Sequence, residues 1–281
     1  MANPIAKNGT HERRETYANE VLAMAKSKVN IYDDFSTDYE IDGATGQINV
    51  PTRSAEVTIS DYDILNGVEL TQSATDYIPL AIDQNYAINE LIDGYEAEAV
   101  PDNLRANRIE AAGYSMGLKK ENMAINQLVT KGTTSSDTTA LTKEDAYEKI
   151  AKEIANMKKR NMEVSSMRVV VSADTELLLL TDDKFANTSG NLGAELVREG
   201  VIGKINGVAV KPNYLLPENV EFIVYDKRFA QKYEVWSVEP SINNLADGKH
   251  IGASALQGRQ VGGLTVTNAL GVQVKTNGTA L

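Results

Sequence analysis

Residues 200–217 read GVIGKINGVAVKPNYLLP. Asn206-Gly207 sits between the short apolar runs VIGKI and VAVKP. Asn-Gly is the strongest local signal for a two-residue type I′ turn, because both central positions need positive φ. The stretch therefore predicts a β-hairpin that leads into a Pro-bounded segment. Its glycines, 200, 203 and 207, do not make a phosphate loop. No Gly-Lys-Ser/Thr follows them, and no helix start follows the last one.

Working outward, MRVVVS (167–172) and EFIVYD (221–226) read as buried strands, and ADTELLLLTD between them reads as a helix. KRFAQKYEVW runs on from the second strand, and the end of the chain, GRQVGGLTVTNALGVQVKT, reads as strands with a Gly-rich bend. An anion cradle in GRQVGG (258–263) is the weaker reading. Upstream, Thr142 caps KEDAYEKIAKEIANMKKRN, with an acid three residues on as in a capping box, and Ile150, Ile154 and Met157 form the buried stripe. TTSSDTTA (133–140) is a polar loop. Residues 84–130 are expected to be helical, broken at Val100-Pro101-Asp102 because proline does not fit a helix interior. The second of these helices starts at Pro101 or Asp102, places Ile109, Gly113, Met116 and Met123 on one face, and ends at Lys131-Gly132 after more than 25 residues.

The N-terminal third differs in character. HERRETYANEVLAMAKSKV (11–29) predicts a helix capped by Thr10, with Tyr17, Val21, Met24 and Lys28 on one face. Residues 31–80 carry turn signals at 42–43, 45–46 and 66–67 between alternating runs such as QINVP and AEVTI. They read as a long two-stranded excursion whose apolar content is thin. Such a ribbon is marginal in water alone and must lie on something else.

Charge divides the chain in the same way. Net charge is −11 over 281 residues. Residues 1–32 carry five bases and three acids, residues 33–102 one base (Arg53) and sixteen acids, and residues 103–281 twenty-two bases and twenty acids. The whole excess lies in one seventy-residue block. It reads either as a solvated acidic face or as a surface that meets basic segments of other copies. A basic patch with interleaved aromatics, the footprint of a nucleic-acid binder, is missing.

Catalytic equipment is sparse. Cysteine is absent, which excludes disulfides, thiolate metal sites and Cys nucleophiles. His11 and His250 are the two histidines, too few for a multi-histidine metal site. The carboxylate pairs Asp33-Asp34, Asp61/Asp63 and Asp182-Asp183 lack the spacing of an EF-hand loop and read as structural. Trp236 and the tyrosines scatter without a stripe. No apolar run approaches the 18 residues of a membrane span, and the start lacks the apolar centre of a signal peptide. No catalytic, cofactor-binding or metal residue is expected, and no cofactor.

The order of elements carries more than any one motif: a basic N-terminal helix, an acidic projecting hairpin, a long helix, a polar loop, an α+β block, the Asn-Gly hairpin with its LP, and a β-rich end. This order resembles the major capsid proteins of tailed bacteriophages, with the Hong Kong 97-type fold. GVIGKINGVAVKPNYLLP, MRVVVSADTELLLL, LQGRQVGGLTVTNALGVQV and QINVPTRSAEVTISDYDILNGVEL carry the likeness, which spans almost the whole chain. It implies an α+β fold with an N-terminal arm (1–32), an extended β-hairpin loop (33–80), a peripheral domain with a long spine helix (81–145), an axial domain (146–250) and closing C-terminal strands (251–281). It also implies self-assembly through pentamers and hexamers into an icosahedral shell in the virion, built in the bacterial host cytoplasm. Portal and scaffolding proteins, and in some shells a decoration protein, would be the partners. DNA would be enclosed without sequence-specific binding. No acidic helical extension precedes the arm, so scaffolding is expected from a separate protein or from a removed segment. Some relatives cross-link their shells through a lysine in the extended loop. This chain has no lysine between Lys28 and Lys119, so that nucleophile is missing. An encapsulin-type nanocompartment shell shares the fold and remains an alternative. A soluble acidic enzyme or binding protein is the reading from a different class.

Overall fold

Two valine-rich strands lie at the centre of the molecule, and both of their faces are covered. The structure, a computed structural model, describes residues 31–36, 47–53, 59–68, 75–93, 104–182, 184–185, 201–245, 249 and 251–278. Only the backbone is described at 52, 53, 75, 104–109, 236, 239 and 240. The elements are α1 (Ile31–Asp34), β1 (Gln47–Arg53), β2 (Thr75–Ala81), β3 (Gln84–Ile92), α2 (Leu104–Lys131), β4 (Thr133–Thr134), α3 (Ala146–Lys159), β5 (Met167–Val171), α4 (Ala173–Leu180), β6 (Gly203–Ile205), β7 (Val208–Pro212), β8 (Val220–Asp226), β9 (Ala230–Asn244), β10 (Ser254–Val266) and β11 (Val272–Thr276).

The strands form three sheets. A six-stranded sheet runs β4-β11-β8-β5-β7-β6, a three-stranded sheet β3-β10-β9, and β1 pairs with β2 alone. In the large sheet the side chains alternate between two cores. Met167, Val169, Val171, Phe222 and Val224 face α3 and α4 with Ile150, Ile154, Met157 and Leu179. Val170, Ile223, Tyr225, Val272 and Val274 face α1 and the C-terminal half of α2 with Ala124, Ile125 and Leu128. A sheet buried on both faces reads as a continuous apolar run, which is why MRVVV and EFIVY lack alternation.

The Asn-Gly hairpin forms as expected. Ile205 pairs with Val208, and the turn residues have φ of 50° and 88°. Lys158 at the end of α3 donates to the Asn206 carbonyl at 2.9 Å, tying the turn to the helix. The capping box forms in half: the Asp145 carboxylate accepts the Thr142 N–H at 2.7 Å, while the helix proper starts at Ala146 rather than Lys143. Ser172 caps α4 through its hydroxyl.

Helix α2 has 28 residues, about 42 Å at 1.5 Å per residue. Its buried face is Met116, Ala124, Ile125 and Leu128. The expected face is corrected here: Gly113 is exposed and Met123 only half-buried, because the N-terminal half of the helix leaves the core. Ile109 lies where side chains are not described. At the far end, a Cβ on Gly132 would stand 2.5 Å from the Leu128 carbonyl and 2.7 Å from Val272 Cγ1, so only glycine permits this exit.

Two further expectations are corrected. Residues 84–92, read as helical, form strand β3, paired from end to end with β10 (Gln84↔Gly262 to Ile92↔Ser254). Cross-strand pairing overrides the helix propensity of Ala, Glu and Leu, and the burial alternates with period two. GRQVGG is no bend: it runs inside the continuous strand β10. Its glycines allow close crossings. A Cβ at Gly262 would lie 2.6 Å from the Tyr233 carbonyl, and one at Gly263 would lie 2.0 Å from the Ala81 carbonyl.

The helix expected over 11–29, the Pro101 break and the histidines lie outside the described residues. Among the described residues, no helix is long and apolar enough to cross a membrane.

Candidate assembly surfaces and the anchor of the arm

Strands β1 and β2 hold the base of the excursion. Ile48, Val50 and Leu80 are buried together with help from Ile82 and Tyr233, and Ile48 pairs with Leu80 across the ribbon. The hairpin is therefore seated at its base, where Gly263 lets β2 cross β10. Among its described outer residues, 59–68, no apolar side chain is buried. Ile59, Ile64 and Leu65 are 93 %, 88 % and 91 % exposed, and Tyr62 and Val68 are exposed beside them. Asp63 sets the turn here. Its carboxylate accepts the Leu65 N–H at 2.9 Å and the Asn66 amide at 2.7 Å, which holds its pKa below the usual carboxylate range. Gly67 takes φ 71° and donates its N–H to the Asp63 carbonyl. The turn presents five neighbouring apolar side chains to solvent. Exposed apolar clusters of this kind mark interaction sites.

A second open feature is a groove of about 540 Å³ between β3 and the N-terminal half of α2, lined by Tyr86, Ile88, Ala112, Ser115, Met116 and Lys119. Lys119 lies 5.5 Å from the centre of the Tyr86 ring.

Where the described chain begins, residues 31–36 are clamped into the body. Ile31, Tyr32 and Phe35 are buried. Ser36 bridges Gln231 in parallel, donating its N–H to the Ala230 carbonyl and accepting from the Lys232 N–H. The Asp34 carboxylate accepts from the Tyr225 hydroxyl at 2.7 Å and pairs with Lys227. Burial, reinforced by Asp34, pushes the Tyr225 phenol well above its ordinary pKa. The Tyr32 hydroxyl donates to Glu234, which also pairs with Lys120 at 3.1 Å. Burial alone would raise the Glu234 pKa. The Tyr32 hydroxyl, Lys120 and Lys232 outweigh it and hold the carboxyl below its usual range. Lys232 is shifted down by burial, against the pull of Glu234, and its ammonium donates to the Tyr32 carbonyl at 3.1 Å. Glu121 on α2 accepts the Ile31 and Tyr32 N–H groups, each at 3.0 Å.

Three members of the carboxylate pairs make structural contacts. Asp34 anchors, Asp63 turns, and the buried Asp182 accepts the Lys184 N–H beyond α4. Asp61 is exposed at the tip, and Asp183 is outside the described residues. Among the described residues no group of three His, Cys, Asp or Glu could hold a metal ion. Gly203 and Gly207 belong to the β6–β7 hairpin, with no phosphate cradle; Gly200 is outside the described residues. The Trp236 and Arg53 backbones lie in β9 and β1. Arg13, Arg14 and Lys28 are outside the described residues. The sequence reading missed the anchor. Its signal was IYDDF, two acids inside an apolar triplet, which is unusual for a linker.

Another buried charge stays within the body. Lys275 on β11 donates to the Asp137, Thr139 and Thr276 carbonyls at 2.7, 2.6 and 3.0 Å, with Glu221 at 3.6 Å. Transfer of an ammonium from water is costly unless it is multiply hydrogen-bonded, and this cage supplies those bonds. It fixes the polar loop 133–140 against the sheet edge.

No family model matches the chain, and no curated protein matches it. Solved structures do. A chain of Mycobacterium phage Che8 superposes with TM-score 0.72 at 21 % identity, over 100 % of both chains. The capsid structure of cyanophage P-SCSP1u matches with TM-score 0.75 at 12 % identity, over 94 % of this chain and 92 % of that one. A virus-like particle from Pyrococcus furiosus matches with TM-score 0.55 at 13 % identity, over 88 % and 91 %. Sequence identity is low throughout, and the agreement lies in the path of the chain. This α+β protein has the fold of phage capsid chains.

Proposed function

We propose that this chain is the major capsid protein of a tailed bacteriophage, a structural protein that assembles through pentamers and hexamers into an icosahedral shell enclosing the genome. The observation that carries the reading is the turn at 59–68, an exposed apolar surface between two strands whose base is seated in the body. In a shell that surface is covered by a neighbouring copy. The whole-length likeness to phage chains supports the same reading. The division into arm (1–32), extended loop (33–80), peripheral domain with spine helix (81–145), axial domain (146–250) and closing strands (251–281) belongs to this proposal. In it, α2 is the spine helix and the β6–β7 hairpin lies in the axial domain. The role is structural and not enzymatic. DNA is enclosed without sequence readout, portal and scaffolding proteins are partners, and assembly takes place in the host cytoplasm.

Sedimentation of the purified protein tests this. A shell of many copies sediments far ahead of a 30.6 kDa subunit. A monomer that persists at high concentration overturns the proposal and favours a soluble binding protein or enzyme. The likeness to the Pyrococcus furiosus particle keeps a second reading, an encapsulin-type shell. Packaged protein cargo in place of nucleic acid would identify it.

A further inference from the structure

We infer that Glu121 is the positioning residue that fixes where the N-terminal arm leaves the subunit. The inference rests on the capsid reading, because only in a shell does the arm meet other copies. Glu121 is fully buried on the face of α2 that also buries Ala124, Ile125 and Leu128. Its Oε1 accepts the Ile31 N–H at 3.0 Å and the Asn213 side-chain amide at 2.5 Å, and its Oε2 accepts the Tyr32 N–H at 3.0 Å. Asn213 is itself buried. Its N–H donates to the Val171 carbonyl at 2.9 Å, and its Oδ1 accepts the Leu215 N–H at 2.9 Å.

One carboxylate therefore joins three segments that are far apart in the chain: the root of the arm, the long helix, and the KPNYLLP loop after β7. An apolar side chain would fill this site at lower desolvation cost. What only the carboxylate supplies is direction. Two convergent N–H donors at consecutive residues fix the heading of the backbone at Ile31. The rear of the same segment is held independently. Ser36 is bonded to Ala230 and Lys232, and Asp34 to Tyr225 and Lys227. The Tyr32 hydroxyl and carbonyl keep Glu234 and Lys232, so loss of the Glu121 contacts should free the Ile31 and Tyr32 N–H groups and loosen the backbone there without releasing 34–36 or the sheet.

The test is Glu121→Gln in the full chain. The amide keeps one acceptor but turns an N–H₂ toward a backbone donor. In unassembled subunits, amide exchange at Ile31 and Tyr32 should accelerate at least about tenfold, while Val169 and Val224 stay within about twofold of wild type. The variant should also give fewer or misshapen shells. Asn213→Ala, which leaves both backbone contacts, should show a smaller acceleration at the same two amides, and it keeps the test available if the first variant does not fold. Unchanged exchange at Ile31 and Tyr32 overturns the inference. So does equal acceleration across β5 and β8, or normal shells from a variant whose arm root has been released. Failure of the wild-type protein to form shells would instead refute the capsid reading and leave the exchange result standing.

Discussion

Gly263→Ala should loosen the extended hairpin while sparing the body of the subunit. The added Cβ would stand 2.0 Å from the Ala81 carbonyl oxygen and 2.9 Å from Leu80 Cδ2. Ordinary contact needs about 3.4 Å, so β2 must retreat by about 1.4 Å at the crossing. Overpacking of this kind costs about 1–3 kcal/mol. The obstacle is backbone, which cannot swing aside as a side-chain end can, so the upper half of that range is expected. Retreat of β2 also loosens Ile48, Val50 and Leu80, whose full burial is worth about 1.5–3 kcal/mol each. The atoms nearest the added Cβ belong to Ala81 and Leu80 of β2, not to β5 or β8. Thermal melts of the unassembled subunit should fall by about 2–4 °C for each kcal/mol lost. Amide exchange should rise along β1 and β2 and stay unchanged along β5. Gly113→Ala is the internal control: nothing lies within 4 Å of its Cβ, and alanine is favoured over glycine inside a helix by about 0.5–1 kcal/mol. Wild-type melting together with wild-type protection of β1 in Gly263→Ala would refute the close-crossing argument.

Replacing Ile64 and Leu65 together with Ser should leave the subunit melt within about 0.5 kcal/mol of wild type, because both side chains are solvated, yet reduce shell yield; sedimentation reads the second effect. Assembly should depend on ionic strength, since charges more than about 10 Å apart are screened at 0.1 M salt, and Arg13→Glu with Arg14→Glu should impair shells but not folding; normal shells from that double variant would contradict pairing of the arm with the acidic block. The Asp137 carboxyl is held well below the usual carboxylate range, first by the Thr139 hydroxyl and backbone N–H and then by Lys275 and Lys149. Its folded pKa is depressed, so its contribution is full above the unfolded value of about 3.9 and fades as pH falls below it; acid unfolding of Asp137→Asn should be flatter below about pH 4. Mature particles boiled in detergent should run as one band near 30.6 kDa, because the chain has no lysine between Lys28 and Lys119; a ladder of cross-linked species would contradict this.

What was legible in the sequence was local chemistry that tertiary packing reinforces. Asn206-Gly207 demanded positive φ and received it. MRVVV and EFIVY carried too many β-branched and aromatic residues for any place but a covered sheet. Ile150, Ile154 and Met157 kept helical spacing and point into one core. The failures occurred where a distant partner decided the outcome. QNYAINELI has the composition of a helix, and its pairing partner lies more than 160 residues away in β10. Gly262 and Gly263 look like flexibility in the sequence, yet they serve contact: their neighbours come from β9 and β2. Glu121 reads as one more polar residue on a long helix until Ile31, Tyr32 and Asn213 converge on it. Thin apolar content pointed to a projecting ribbon, but neither the apolar cluster at 59–68 nor the seating of the base on β10 was read from it.

The most direct measurement is electron cryomicroscopy of the purified, concentrated protein. The expected result is closed icosahedral shells in which the tip, Ile59 to Val68, is buried against a neighbouring copy. Dispersed subunits, or shells whose tips still point into solvent, would contradict the assignment of that hairpin as the surface that builds the capsid.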